Sequence, residues 1–361
     1  ELLTRMAIRD VLANPAVKSL EVRITPRNTA SQNAQYIRSC DEAVTSVYND
    51  AEYLDEQIHS ILNPRTELEL EDFDVSDLRN RFRYIFHFPK RKDEELEEIV
   101  ECRHYKYRKQ MERAAEQIIL FRQDYPEYGR RVVGIDACSQ EIGCRPEVFS
   151  KVFRTLKALT ATQMNLPYEY SVPQLKITYH VGEEFLDIVD GLRAIDEAIR
   201  FLKLDCGDRI GHALALSMDV EKWYRTKNNE ITLLVQDYLD NIAWFHHALI
   251  RYNIQDEDAL KGWLESEFSH CFALIYEPYI QELQDLYSDS RRKGMQGKFD
   301  IHTYYLSWLL RGDEPSLYKT GSLNTEARYG RWANEEMNIR KLEDDDIRFI
   351  PEVALMYCLY H

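Results

Sequence analysis

The chain of 361 residues carries 62 acidic and 46 basic side chains, a net charge of −16, with 44% hydrophobic and 30% charged residues. That balance describes a soluble globular protein long enough to bury a sizeable core. The acidity excludes a broad phosphate-tracking surface, so direct binding of nucleic acid is not expected, although a local basic pocket for a nucleotide stays open.

No run of about eighteen apolar residues occurs, so no membrane partner is expected. The first twenty residues, "ELLTRMAIRDVLANPAVKSL", mix charges throughout and do not resemble a signal peptide. The seven cysteines (40, 102, 138, 144, 206, 271 and 358) are scattered and odd in number, with no C-x-x-C pair. They read as reduced thiols, which points to the cytoplasm. A start at Glu1 and a stop at His361, just after an apolar segment, read as the ends of a piece cut from a longer chain.

Short apolar runs alternate with longer amphipathic stretches between residues 17 and 216. The runs are "VKSLEVRITP" (17–26), "RFRYIFHFP" (81–89), "RRVVGIDACS" (130–139), "QLKITYHVG" (174–182) and "DRIGHALAL" (208–216). The clearest helix is expected over residues 184–204, where Phe185, Ile188, Val189, Leu192, Ile195, Ile199 and Leu202 recur at helical steps. Alternating strand and helix imply right-handed crossovers and a parallel sheet, either doubly wound or part of a (β/α)8 barrel. No G-x-G-x-x-G dinucleotide fingerprint is present.

After residue 217 the rhythm stops. Residues 231–280 contain two expected helices rich in aromatic side chains, and 287–300 reads as a polar loop. The expected division is therefore 1–216, an α/β portion, and 217–361, a mainly helical insertion or extension. Tyr238, Ile242, Phe245 and Leu249 share helical spacing beside Trp244. Such a face either packs within the protein or mediates self-assembly into a large homo-oligomer.

In parallel α/β folds, chemistry gathers at the carboxyl ends of strands. Three runs end in reactive side chains: Asp136 with Ser139, His180 with Glu183, and His212. One histidine at a strand end is ordinarily a satisfied polar residue. Two at consecutive strand ends, one with a glutamate three residues on at an expected helix start, make a stronger pattern. His246 and His247 in "WFHHAL" are expected to pack, Glu343–Asp346 to be solvated, and Cys138 to be a buried strand thiol and not a nucleophile.

These residues carry a family resemblance. "ITYHVGEE" resembles the H-A-G-E segment of adenosine deaminases, and "DRIGHALAL" resembles their R-[IL]-G-H-G segment. "SLEVRITP" and "VVGIDACSQE" are similar to the family's Y-V-E-V-R-x-S-P and V-V-x-I-D-L-A-G-x-E strands, in the same order. The implied fold is the metal-dependent amidohydrolase barrel, of which strands two to six would lie here.

The helical region resembles that of the long deaminase-like component of the RADAR anti-phage defence system, which implies a homo-oligomeric shell and a partner ATPase. A CRISPR-associated fusion of a ligand-sensing domain to an adenosine deaminase is the second resemblance.

The resemblance implies that His180 binds zinc, that Glu183 is the general acid at purine N1, and that His212 orients and helps deprotonate the attacking water. Asp136 and Ser139 fall in the substrate-binding segment. Ser139 and Ala213 each stand where the family has glycine. The implied activity is hydrolytic deamination of adenosine or an adenine nucleotide, ATP included, to the inosine form with release of ammonia. The unrelated cytidine-deaminase type needs H-x-E with P-C-x-x-C, and neither occurs.

The family's H-x-H pair is absent from the sequence, which leaves one of about four zinc ligands. "SLNTE" (322–326) is similar to the family's S-L-N-T-D-D and would offer Glu326 as a substitute ligand, without a preceding apolar strand or the metal aspartate. The remaining ligands are expected outside this sequence, unless the protein is a deaminase-fold scaffold without catalysis.

Overall fold

Each of the five apolar runs becomes a strand: β1 (Leu20–Ile24), β2 (Phe82–Lys90), β3 (Val132–Ser139), β4 (Lys176–Val181) and β5 (Arg209–His212). The structure is a computed structural model, which describes residues 2–12, 17–62, 79–93, 104–159, 171–254, 258–286 and 300–312. Glu326, the Glu343–Asp346 run and most of the 287–300 segment lie outside the described residues.

The strands form one parallel sheet in the order β1-β2-β3-β4-β5, with Leu20 opposite Phe82 and Ile24 opposite Phe86. Strand order follows chain order without reversal. Among the described strands there is thus no switch point of the kind a doubly wound sheet uses to bind ligands.

Helices fill the crossovers: α1 (Leu2–Leu12) precedes the sheet, and α2 (Ala30–Leu62), α3 (Tyr105–Asp124), α4 (Pro126–Gly129), α5 (Ser150–Ala158) and α6 (Ile188–Phe201) lie between strands. Beyond β5 come α7 (Val220–Thr226), α8 (Val235–Arg251), α9 (Asp258–Leu286) and α10 (Ile301–Leu309). No helix among the described residues is long and apolar enough to cross a membrane. Cys40, Cys138, Cys144, Cys206 and Cys271 are not in disulfides, and Cys138 is only half-buried.

By contacts the chain divides into two compact units. One comprises Glu1–Phe88, Gln110–Ala137 and Thr155–Thr178; the other comprises Pro89–Lys109, Cys138–Arg154 and Tyr179–His361. The carboxyl ends of β2, β3 and β4 belong to the second.

In the first unit, Ile118, Phe121, Val132 and Ile135 are fully buried, and the Phe86 and Phe121 rings meet edge-on at 6.0 Å. Arg131 reaches both carboxylate oxygens of Asp41, at 2.6 and 2.7 Å.

In the second unit, α6 starts four residues later than its periodicity suggests, because residues 184–187 form a turn that ends at the N-cap Asp187. Ile188, Ile195 and Leu202 are buried as expected, but Ile199 is 42% exposed, and Ala198 and Phe201 are buried in addition. A second buried face of α6 carries charge. Arg193 and Glu197 are fully buried, and Arg193 pairs with Glu197 at 2.8 Å and with Asp240 of α8 at 3.3 Å. Arg145 bonds Asp190 and Glu197, both at 2.8 Å. Arg311 completes the network through Asp240 at 2.6 Å.

The aromatic stripe on α8 packs inward. Leu239, Ile242 and Leu249 form one core with Leu264, Phe268, Phe272 and Tyr304, and Tyr238 and Phe245 pack against it. The Trp244 indole donates to Asp196 at 3.0 Å. His246 is buried and lies 3.2 Å from Glu265, and His247 stacks on Tyr305 with ring centroids 3.6 Å apart. Both histidines are packing residues. This stripe is interior, so the self-assembly face read from it is not free on the surface.

Candidate functional site

β4 ends with alternation that sorts its side chains. Leu175, Ile177 and Tyr179 are fully buried, while Thr178 and His180 share the opposite face. Gly182 then turns the chain at φ +73°, and a Cβ there would sit 2.7 Å from Ile195. Glu183 follows on this turn, ahead of α6 and not at its start, and its side chain is 43% exposed.

The neighbouring strand brings its histidine to the same place. The His180 and His212 rings lie 5.3 Å apart, and His212 Nε2 is 3.4 Å from a Glu183 carboxylate oxygen. The backbone joins the two strand ends, with Ala213 N–H donating to Val181 O at 3.1 Å and Ala215 N–H to Gly182 O at 3.0 Å. Gly211 gives His180 its room. A Cβ on residue 211 would lie 2.5 Å from His180 Cδ2. Gly211→Ala is therefore expected to turn the His180 ring and cost about 100-fold in the activity proposed below, with helix content by circular dichroism unchanged. Retention of full activity would show that ring placement is unimportant.

Both positions where the resembling family has glycine keep a glycine backbone. Ser139 adopts φ +87°, Ala213 adopts φ +49°, and His212 between Gly211 and Ala213 adopts φ +62°. Side chains pay about 1–2 kcal/mol in this region, and such strain concentrates at functional sites. Ala213→Gly is expected to stabilise the protein by about 0.5–1 kcal/mol, the relief being partly offset by the greater unfolded-state freedom of glycine. An upward shift of the urea midpoint is the check.

Asp136 belongs to the first unit. It is fully buried, with Arg23 Nε at 2.8 Å and His87 Nδ1 at 3.1 Å. Its charge is thus already answered inside the protein, which suits a positioning role better than direct contact with a ligand. Ser139 belongs to the second unit and is exposed.

Two further charged residues stand at this end of the second unit. Lys90, the last residue of β2, has a side chain 1% exposed, and burial beyond what Glu141 offsets pushes its ammonium pKa down. Glu141 lies two residues past β3. The apolar run "RFRYIFHFP" ends at Pro89, one residue short of Lys90, and Glu141 is the last residue of "VVGIDACSQE", beyond the apolar part of that segment. A lysine and a glutamate next to turns read as solvated, so composition held no signal for either.

Two kinds of metal-ligating residue are present. His180, with His212 and Glu183 beside it, has the donor chemistry that zinc takes, although a catalytic zinc usually needs three protein ligands. His87 and Asp136 are also of ligating type, with Cys138 two residues along β3 on the same strand face. The Arg23 guanidinium on Asp136 counts against a cation there, and nothing in either set selects zinc over another ion.

Fold and site together define an α/β protein with a parallel sheet whose acid–base side chains converge at the carboxyl ends of consecutive strands. Comparison with known proteins takes the assignment no further: the chain matches no protein-family model and no curated protein.

Proposed function

We propose that the chain is part of an amidohydrolase-type (β/α)8 barrel and carries part of the site of a zinc-dependent hydrolytic deaminase acting on adenosine or an adenine nucleotide. The observation that carries this reading is the approach of Glu183 to His212, at 3.4 Å, beside His180 on the adjacent strand. The unreversed strand order supports a barrel segment over a doubly wound sheet.

In this reading His180 is one ligand of the ion, and zinc when bound supplies Lewis acidity and makes hydroxide available near neutral pH. His212 accepts a proton from the attacking water. Glu183, as a carboxylic acid, donates a proton to ring N1 as the water oxygen bonds to C6. His212 then passes its proton to the departing amino group and Glu183 regains one from the C6 hydroxyl, so cleavage of the C6–N bond releases ammonia, leaves the inosine form and restores both side chains. Participation in anti-phage defence with a partner ATPase belongs to the same proposal and rests on the resemblance of the helical region, and a cytoplasmic location rests on the scattered cysteines.

The test is ammonia release from adenosine, ATP and their deoxy forms by the complete, zinc-supplemented polypeptide that contains this chain. No release from any of them would overturn the reading.

A second reading, a deaminase-fold scaffold for oligomeric assembly, draws on the absence of H-x-H from the sequence. It expects no stoichiometric metal in the purified full-length protein. About one zinc per chain, lost on His180→Ala, would remove it.

A further inference from the structure

We propose that Glu141, together with Lys90, is the positioning residue that sets the turn carrying His180 and Glu183. The inference rests on the deaminase reading for its kinetic consequence, but its geometry stands alone.

The turn is gripped from two other strand ends. Glu141 Oε2 accepts the Gly182 N–H at 2.8 Å. Lys90 Nζ donates to the His180 carbonyl oxygen, lies 3.7 Å from Glu141 Oε1, and sits over the Tyr179 ring at 4.4 Å. Glu184 closes the circuit by accepting the Glu141 N–H at 3.0 Å. The backbone of residues 180 and 182, on either side of Val181, is thereby tied to charged side chains from the ends of β2 and β3.

Such an arrangement is poorly explained by stability. Desolvating a lysine and a glutamate is costly, and apolar residues of similar volume would hold a core as well or better. What apolar residues lack is direction. Gly182 occupies the left-handed region at φ +73°, and a glycine there has little of its own to fix the peptide plane. The Glu141 carboxylate supplies the missing constraint one residue before Glu183. A general acid displaced by about 1 Å loses much of its effect in the transition state while substrate binding is nearly unaffected.

Three variants decide the matter. Glu141→Ala removes the acceptor, Glu141→Asp keeps the charge but withdraws it, and Glu141→Gln keeps an oxygen within reach of Gly182 N–H. Two readouts are compared: kcat and KM for ammonia release, and hydrogen exchange at the Gly182 amide in metal-free protein. For Ala and Asp, kcat is expected to fall about 30-fold with KM changed less than about threefold, and Gly182 exchange to quicken at least about tenfold. Gln is expected to recover most of both.

If Glu141→Ala does not fold, the Asp and Gln variants still decide, since a purely electrostatic role would favour Asp over Gln and overturn the proposal. Unchanged kcat in an active protein bearing Ala or Asp would also overturn it. If the unsubstituted protein releases no ammonia, the deaminase reading fails separately, and Gly182 exchange alone then tests the brace: faster exchange in Ala and Asp but not Gln supports it, and equal exchange in all three removes it.

Discussion

Under the proposed deaminase activity, Glu183→Gln in the complete polypeptide is expected to keep the fold and any bound metal while losing about 1,000-fold in kcat, equivalent to about 4 kcal/mol of transition-state stabilisation. The amide is isosteric with the carboxyl group but cannot deliver a proton to ring N1. Glu183 is 43% exposed and meets His212 across 3.4 Å, so its replacement removes no buried contact and should shift stability by less than about 0.5 kcal/mol. The unfolding midpoint and the metal content therefore separate loss of chemistry from loss of structure. Full activity in this variant would sink the mechanism, and loss of metal along with activity would recast Glu183 as a ligand.

Asp240→Ala should produce the largest loss of stability, about 3–5 kcal/mol. The Asp240 side chain is 2% exposed and accepts from both Arg311 terminal nitrogens at 2.6 Å. It accepts as well from Tyr304 OH at 2.6 Å and Gln236 Nε2 at 3.1 Å. Removing it leaves two buried guanidinium groups, Arg193 and Arg311, short of countercharge. Burial by itself would raise the Asp240 pKa, but Arg311, Arg193 and the Tyr304 hydroxyl outweigh it and hold the carboxyl well below its usual range. Asp190 is likewise held low: burial opposes ionisation, and Arg145 and Arg193 overcome it.

The sign of the pH dependence follows. Carboxyls with depressed folded-state pKa values contribute stability that is fully present above the unfolded value of about 4 and is lost as pH falls below it. The denaturation midpoint should thus decline steeply below about pH 4, and Asp240→Ala should flatten that decline. An acid profile identical to that of the unsubstituted protein would show that Asp240 does not carry the linkage.

The residues of the candidate site were unequally legible. His180, Glu183 and His212 stood out because each follows an apolar run, and a polar side chain at the end of a buried strand has few ways to be satisfied unless the turn provides for it. Lys90 and Glu141 did not stand out, because their environment is made by strands far apart in sequence. The same holds for Arg193, Glu197 and Asp240. On a helical wheel they look solvated, and the packing of residues 145–148, α8 and α10 against α6 encloses them. The Tyr238–Leu249 stripe has the converse history: its periodicity announced an apolar face, and α9 and α10 decided that the face is interior.

The amino-acid sequence by itself determined the alternation of strands and helices, the parallel sense of the sheet and the polar groups at three strand ends. These follow from local periodicity and from the handedness of crossovers, which need no distant partner. Tertiary structure decided what those groups touch. It placed Glu183 on a turn ahead of α6, gave Ser139, His212 and Ala213 left-handed backbones, and buried Lys90 against the His180 carbonyl. The reason is that burial and backbone strain are properties of the enclosing packing, and no window of neighbouring residues contains them.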